Sequence, residues 1–446
     1  MTIHSYVEAL LKYAEEYLLL DTLDENYVRQ SAYSLLNISE KEVVDVDVEN
    51  LEEMSSPSLI LSKIIDYALK NEIITCQEID VFKARFMDCF IKRPSEIQEI
   101  FTSLASKNAG KAINWLQDYN VKSGYVCDYI KKWEAKSTKG KLEVAFLPKL
   151  EESSMCKYCA NIEGSQVYRN LRLAPLTIDG EEWNYISARL AKFSGHGYLA
   201  QKEHKSLSLN EKTLNIMTKF VDLASGHYTA FKNCDCQKQH GHIIVGDKLL
   251  PMMKADCLTK LKSKEYPYIA LSILEWYVPV IRMACSTREK LIEFALKIIE
   301  KLSLPCAVAV RKQENQYIIE LILIGNKAVK EENAGLINGK VNLAALMGSF
   351  ALSQEVYEDS QKIEKLLTKE LNLKTAGNLD KHLRMIQKLM KEVGTAKLSP
   401  IEAALDVKEV INNTLESALK DIAVYEVGSQ ELIVYLEQSF DIKRHI

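Results

Sequence analysis

The chain has 446 residues, of which 47% are hydrophobic and 26% charged, with a net charge of −4. That length allows two or three domains with cores of ordinary size, and the composition is that of a soluble globular protein. The small negative charge leaves no overall electrostatic footprint for nucleic acid or an anionic membrane, so binding of either by bulk charge is excluded.

A local basic cluster, Lys131, Lys132, Lys136, Lys139 and Lys141, is interrupted by Glu134 and followed by Glu143, which reads as a solvated surface. No apolar run reaches the roughly 18 residues a membrane span needs. Met1-Thr2-Ile3-His4, followed by Glu8 and Glu15-Glu16, lacks the basic-then-apolar order of a secretory signal. The ten cysteines make no small-domain disulfide framework, which points to reduced thiols and a cytoplasmic protein.

Residues 1 to about 135 are expected to be helical. Val7, Leu10, Leu11, Ala14 and Leu18 recur at helix spacing, as do Ile60, Ile64, Ile65, Ala68 and Leu69. Thr75-Cys76-Gln77-Glu78 resembles a capping box, and Arg93-Pro94 breaks one helix and restarts another. Near Gly140 the pattern changes: Leu142, Val144 and Phe146 alternate as on a strand, ended by Pro148. Leu171 to Ile178 is expected to be extended. Ser208-Leu209-Asn210-Glu211 predicts a capped helix ended by Gly226. Strands follow over 227–233 and 240–246.

The second half repeats this grammar. Residues 268–274 and 277–283 are β-rich, and Ser286-Thr287-Arg288-Glu289 predicts a cap for a helix bearing Leu291, Ile292, Ala295, Ile298 and Leu302. A hairpin is expected over 306–324, turning at Glu314-Asn315. From Leu352 the chain reads as helical again, with Gly394 as a C-cap and Ser399-Pro400 starting a further helix.

Two motifs carry chemistry. Cys156-x-x-Cys159 has the spacing of a metal knuckle, in which two thiolates converge on one cation. A redox pair would open a helix after a buried strand, which Lys157-Tyr158 and the following Ala160-Asn161-Ile162-Glu163-Gly164 fit poorly. Gln239-His240-Gly241-His242 is the second. On a strand residues i and i+2 share a face, so His240 and His242 should stand together with Ile243 and Val245 opposite. Two partly solvated histidines at a strand end are the plain alternative. Four-coordinate zinc needs two ligands besides Cys156 and Cys159. The candidates are His204, His227, His240, Cys234 and Cys236, with Cys234-x-Cys236 offering an all-cysteine site as the rival set.

The order of these motifs resembles the galactose-1-phosphate uridylyltransferases of the histidine-triad superfamily, most of all their second class, found in Gram-positive bacteria. The resemblance spans most of the chain. It runs through Arg93-Pro94-Ser95-Glu96, Cys156-Lys157-Tyr158-Cys159, the stretch from Leu171 to Trp183, and His227-Tyr228. It continues in Val280-Ile281-Arg282, Glu332-Asn333-Ala334-Gly335-Leu336-Ile337 and Met347-Gly348.

The resemblance implies an α+β fold in which two histidine-triad-like halves with antiparallel sheets are flanked by helical N- and C-terminal regions. The implied divisions are 1–135, 136–260 (zinc and nucleophile), 261–350 and 351–446. It implies a cytoplasmic transferase of galactose metabolism, exchanging a uridylyl group between UDP-hexose and hexose 1-phosphate by ping-pong chemistry. His242 resembles the nucleophile. His240 resembles a ligand to a structural zinc with Cys156, Cys159 and His204. Arg172, Asn184 and Asn233 match family positions that contact phosphate, uridine or ribose. The partners implied are a nucleotide sugar and a sugar phosphate, with no nucleic acid and no membrane; such relatives often form homodimers.

Two departures stand out. The family generally places a phosphate-donating glutamine two residues after the nucleophile, where this chain has Ile244. Its loop before the histidine pair is longer and contains glycine and serine; here it is Cys234-Asp235-Cys236-Gln237-Lys238-Gln239, in which Lys238 or Gln239 would have to substitute. These departures keep two rivals open: a nucleotide hydrolase or phosphorylase of the same superfamily, and a non-catalytic zinc-stabilised nucleotide-binding protein. A second metal site would need later histidines; only His382 and His445 follow His242, so none is expected.

Overall fold

The computed structural model describes residues 2–39, 57–127, 129–150, 156–233, 240–325, 327–334, 336–337, 341–368, 370, 398–425, 430–440 and 442–444. Cys234, Cys236, Lys238, Gln239, His382, Gly394 and His445 lie outside these residues. The fold is α+β. Six N-terminal helices come first: α1 Ile3–Tyr17, α2 Glu25–Leu35, α3 Pro57–Lys70, α4 Ile79–Asp88, α5 Pro94–Ala105 and α6 Ala109–Lys122. The Thr75–Glu78 capping box is present and leads into α4, and Pro94 opens α5 as expected.

The strands are β1 Lys131–Ser137, β2 Gly140–Leu147, β3 Ala174–Ile178, β4 Glu181–Ser187, β5 Gly197–Gln201, β6 Tyr228–Lys232 and β7 His242–Gly246, followed by β8 Cys257–Ser263, β9 Ala270–Leu274, β10 Val280–Cys285, β11 Cys306–Gln313, β12 Gln316–Leu323, β13 Ser349–Ser353 and β14 Ile442–Arg444. Of the lysine cluster read as plain surface, Lys131, Lys132 and Lys136 lie on β1. Its lysines face solvent while Ala135 is 3% exposed, so the strand alternates like any half-buried one. Helix α7, Glu211–Leu223, is capped by the Asn210 side chain, which accepts from the Thr213 N–H; Ser208, expected in that role, lies outside the helix. Helix α8 spans Arg288–Leu302.

The two strand repeats do not form separate sheets. They join edge to edge through β6 and β11 into one sheet of 11 strands, in the order β14-β8-β9-β10-β12-β11-β6-β7-β5-β4-β3. On either side of that seam the chain follows one plan. Three strands lead into a helix (α7 or α8), and two more strands return beside the third. One register row crosses the seam as Ile186, Tyr198, Ile244, Ala230, Ala309, Glu320, Arg282 and Ser272. The halves are thus related by a pseudo-twofold axis between Ala230 and Ala309.

Strand alternation gives the sheet two faces. Trp183, Tyr185, Leu199, Ile243, Val245, Val308, Val310 and Leu321 enter one core with residues of α7, α8 and the N-terminal helices. On the other face, Tyr228, Ala230, Val280, Ala307, Ala309 and Ile322 lie under the small β1-β2-β13 sheet and the helix Pro400–Asp421. That helix starts at Pro400 as expected, behind a Ser399–Glu402 capping box. Further along the same face, Ile186 and Ala200 pack with Ile162, Tyr168 and Leu171, beneath the turn that follows the cysteine knuckle. Among the described residues, no helix is long and apolar enough to cross a membrane.

Candidate active site and metal cluster

Four predicted ligands converge. Cys156, Cys159, His204 and His240 bring their donor atoms within 4.8 Å of one another. The Cys159 sulfur lies 3.1 Å from Nδ1 of His204 and 3.2 Å from Nδ1 of His240. The far nitrogen of His240, Nε2, donates to the Gln201 carbonyl at 2.7 Å. Such a bond to the second ring nitrogen orients a ligating imidazole and fixes its tautomer. Burial and the neighbouring Cys156 push the Cys159 thiol up to about 11, so a cation is needed to favour the thiolate here. Two thiols and two imidazoles are a donor set suited to a structural metal.

The glycine between the two histidines has a specific steric task. A Cβ on Gly241 would stand 2.3 Å from Cβ of Leu207 and 2.5 Å from its backbone nitrogen. The Gly241 N–H donates to the Lys205 carbonyl at 2.8 Å. Only a residue without a side chain allows the segment bearing His204 to lie against the segment bearing His240.

His242 opens β7, and His240 stands just before the strand. As alternation requires, Ile243 and Val245 are buried in the helical core while His242 faces the other way. Its Nδ1–H donates to the His240 carbonyl at 3.3 Å, which leaves the Nε2 lone pair as the nucleophilic position of a neutral ring. Burial, followed by the Lys157 and Lys192 charges, lowers its pKa to about 4, so the ring is unprotonated at neutral pH. Tyr158 lies over it, with centroids 3.8 Å apart and planes 13° from parallel. Tyr198 meets it edge-on at 5.4 Å. Tyr158 sits between the two knuckle cysteines, so the residues that hold the metal cluster also seat the imidazole.

The other sequence candidates divide. Asn184 pairs with Ala200, which pairs with His242, so all three share one row and one face of the sheet. Two strand spacings separate Asn184 from His242, about 10 Å. Its Nδ2 is buried without a hydrogen-bond partner among the described residues. Asn233, at the end of β6, accepts from the Leu209 N–H through Oδ1 at 2.7 Å. Arg172, expected at the nucleotide, lies among backbone and carboxylate acceptors. It is 3% exposed and donates to the carbonyls of Lys92, Arg169 and Leu171 and to the Asp88 carboxylate. Its charge is thus committed to joining the N-terminal helices to the sheet. His227 is not in the metal cluster; its Nε2–H donates to Asn114 Oδ1 at 2.9 Å.

Two residues escaped sequence reasoning: Lys192 and His196, on the turn between β4 and β5. His196 is 1% exposed and its ring packs edge-on against Tyr198 at 4.9 Å. Only its parity with Tyr198 and Ala200 along one strand could have placed it on the His242 face.

No protein-family model matches the chain. It is 24% identical to a galactose-1-phosphate uridylyltransferase of Fusobacterium nucleatum, covering 96% of each chain. It is 25% identical to that of Caldanaerobacter subterraneus, covering 94% of each. With the enzyme of Clostridium acetobutylicum it shares 23% identity over 97% of this chain and 98% of that one. A crystal structure of yeast Ap4A phosphorylase superposes with a TM-score of 0.36 at 13% identity, covering 58% of this chain and 90% of that one, a likeness too distant to inform the fold. Over nearly its whole length, the chain is similar to galactose-1-phosphate uridylyltransferases.

Proposed function

We propose that the protein transfers a uridylyl group between UDP-hexose and hexose 1-phosphate, with galactose 1-phosphate as the second substrate. His242 is the nucleophile. Its Nε2 attacks the phosphorus next to uridine, and the P–O bond to the sugar phosphate breaks with its electron pair on the departing sugar 1-phosphate. Nδ1 keeps its proton throughout, held by the His240 carbonyl. The incoming sugar 1-phosphate reverses the step, so the protein cycles between free and uridylylated forms. Asn184 and Asn233 are the nucleotide-side contacts.

The observation that carries this reading is the His242 ring itself. It is neutral, pinned at Nδ1 and stacked by Tyr158, with the cysteine–histidine cluster beside it. The shared names of relatives matched over nearly the full length support the reaction class. Zinc is the metal the donor set suits, with Cys156, Cys159, His204 and His240 as its ligands. Four protein ligands leave no open position, so its contribution is to fix the knuckle against the nucleophile strand.

The test separates the two half-reactions. With UDP-glucose alone, the protein should release glucose 1-phosphate in a single stoichiometric burst. Galactose 1-phosphate should then discharge the enzyme as UDP-galactose. His242→Asn should lose both steps, by about 10⁴-fold or more. Continuous release without an acceptor would make the protein a hydrolase, and no release from wild type would remove the reading.

A further inference from the structure

The proposed transfer leaves one task unassigned. Negative charge on the phosphoryl oxygens needs donors beside His242, and the Ile244 side chain offers none. Resting on that reading, we propose that His196 and Lys192, on the turn entering β5, receive these oxygens.

His196 stands just before β5, whose Tyr198 and Ala200 lie on the same sheet face as His242. It and His242 each pack edge-on against the Tyr198 ring. Its Nδ1 accepts from the Lys192 backbone N–H at 3.2 Å. Of the two backbone groups that hydrogen-bond the ring, the Lys192 N–H and the Leu190 carbonyl, the first leaves the proton of a neutral ring on Nε2. That nitrogen is buried with no hydrogen-bond partner among the described residues. Burial, then the charges of Lys192 and Lys157, holds the ring well below its usual range and so neutral. A buried donor with nothing to bond is costly in a folded chain, and a bound oxyanion would satisfy it.

Lys192 supplies the charge. Lys157 and Lys192 are positive charges that act on both His196 and His242. Burial, and then Lys157, lowers the Lys192 ammonium to about 8; among the described residues no ion pair to a carboxylate offsets this. A phosphate would be its counter-ion. The turn is also held in place. The Ala188 N–H donates to the His196 carbonyl at 3.0 Å, and the Ser349 hydroxyl to the Lys192 carbonyl at 3.1 Å. Gly195 takes a φ of +66° against Asp247, where a Cβ would lie 2.4 Å from the carboxylate carbon. The donor that the family places two residues after the nucleophile is thus provided here from the neighbouring strand's entry turn.

The experiment compares UMP with uridine as ligands of the zinc-loaded full chain, by calorimetry. Lys192→Met should weaken UMP by about tenfold or more and leave uridine within about twofold. Lys192→Arg should restore UMP binding in large part. His196→Gln, which keeps a donor, should bind UMP better than His196→Phe, which does not. Uridylylation of His242 by UDP-glucose should slow by about 10–10³-fold in Lys192→Met and His196→Phe. Equal loss of UMP and uridine would mean a structural role and overturn the proposal, as would UMP affinity and uridylylation unchanged in Lys192→Met and His196→Phe. If wild type forms no uridylyl-histidine but Lys192→Met still weakens UMP selectively, the phosphate subsite stands and the transfer reading falls.

Discussion

In the first half of the sheet, the row beside the seam carries Asn184, Ala200 and His242; its counterpart in the second half carries Ala270, Ala284 and Ile318. The next row reverses the polarity. There the first half has Tyr198 and Ile244, while the second has Arg282 and Glu320. Glu320 is fully buried, 2.8 Å from the Arg282 guanidinium and 3.4 Å from that of Arg311. One framework thus holds the proposed nucleophile on one side of the seam and a buried carboxylate shared by two arginines on the other. The covering elements follow the same division. The small sheet and the helix Pro400–Asp421 cover the seam and the second half, whereas the cysteine knuckle and its following turn cover the first. A duplicated sheet does not duplicate a site; the residue at each row position and the element laid over it decide which half does chemistry.

That contrast can be broken in graded steps. The largest effect should come from the four proposed metal ligands, a cluster found among the described residues in the first half alone. Cys159→Ser should cost more zinc affinity than the roughly 10–100-fold typical of losing an outer-shell partner. Zinc titration against a chromophoric chelator measures it. In hydrogen exchange, removing the metal should deprotect β7 and the 204–207 segment while β10 and β12 hold. Equal deprotection of both halves would mean that the cluster supports the whole sheet.

Glu320→Ala should act in the opposite sense. It leaves Arg282 and Arg311 without their buried counter-ion, at a cost of about 3–5 kcal/mol, read by denaturant unfolding. Zinc content and the fraction of chains that can be uridylylated should stay unchanged under native conditions. A loss of uridylylation with full stability would show that the second half takes part in the reaction.

Gly241→Ala should give the smallest change, and one confined to the first half. Crowding against Leu207 should cost about 1–3 kcal/mol and lower zinc content, since the histidines on either side of the contact are pushed apart. Wild-type zinc content and stability in this variant would contradict the close approach.

Much of the first half was legible in the sequence because its signals are local. The CxxC spacing and the alternation of His242 against Ile243 and Val245 lie within a few residues of chain, as does the Thr75–Glu78 box of the N-terminal helices. What was missed depends on distant parts of the chain. The seam between β6 and β11 joins strands far apart in sequence, and nothing in either announces its partner. Arg172 looked available from its motif, but Asp88, 84 residues away, takes its charge. Asn210 displaced Ser208 as the cap because both are good caps and only the entry angle of the chain decides between them. Lys192 and His196 carry no motif at all, and only the folding of the β4–β5 turn onto the His242 face brings them into the site.

The central claim is that covalent chemistry resides at one histidine of the first half. Brief reaction with UDP-glucose, followed by proteolysis and mass spectrometry under conditions that preserve phosphoramidates, tests it most directly. The account predicts a uridylyl group on His242 alone, absent from His242→Asn and removed by galactose 1-phosphate. A uridylyl group on any other residue, or none on wild-type protein, would contradict it.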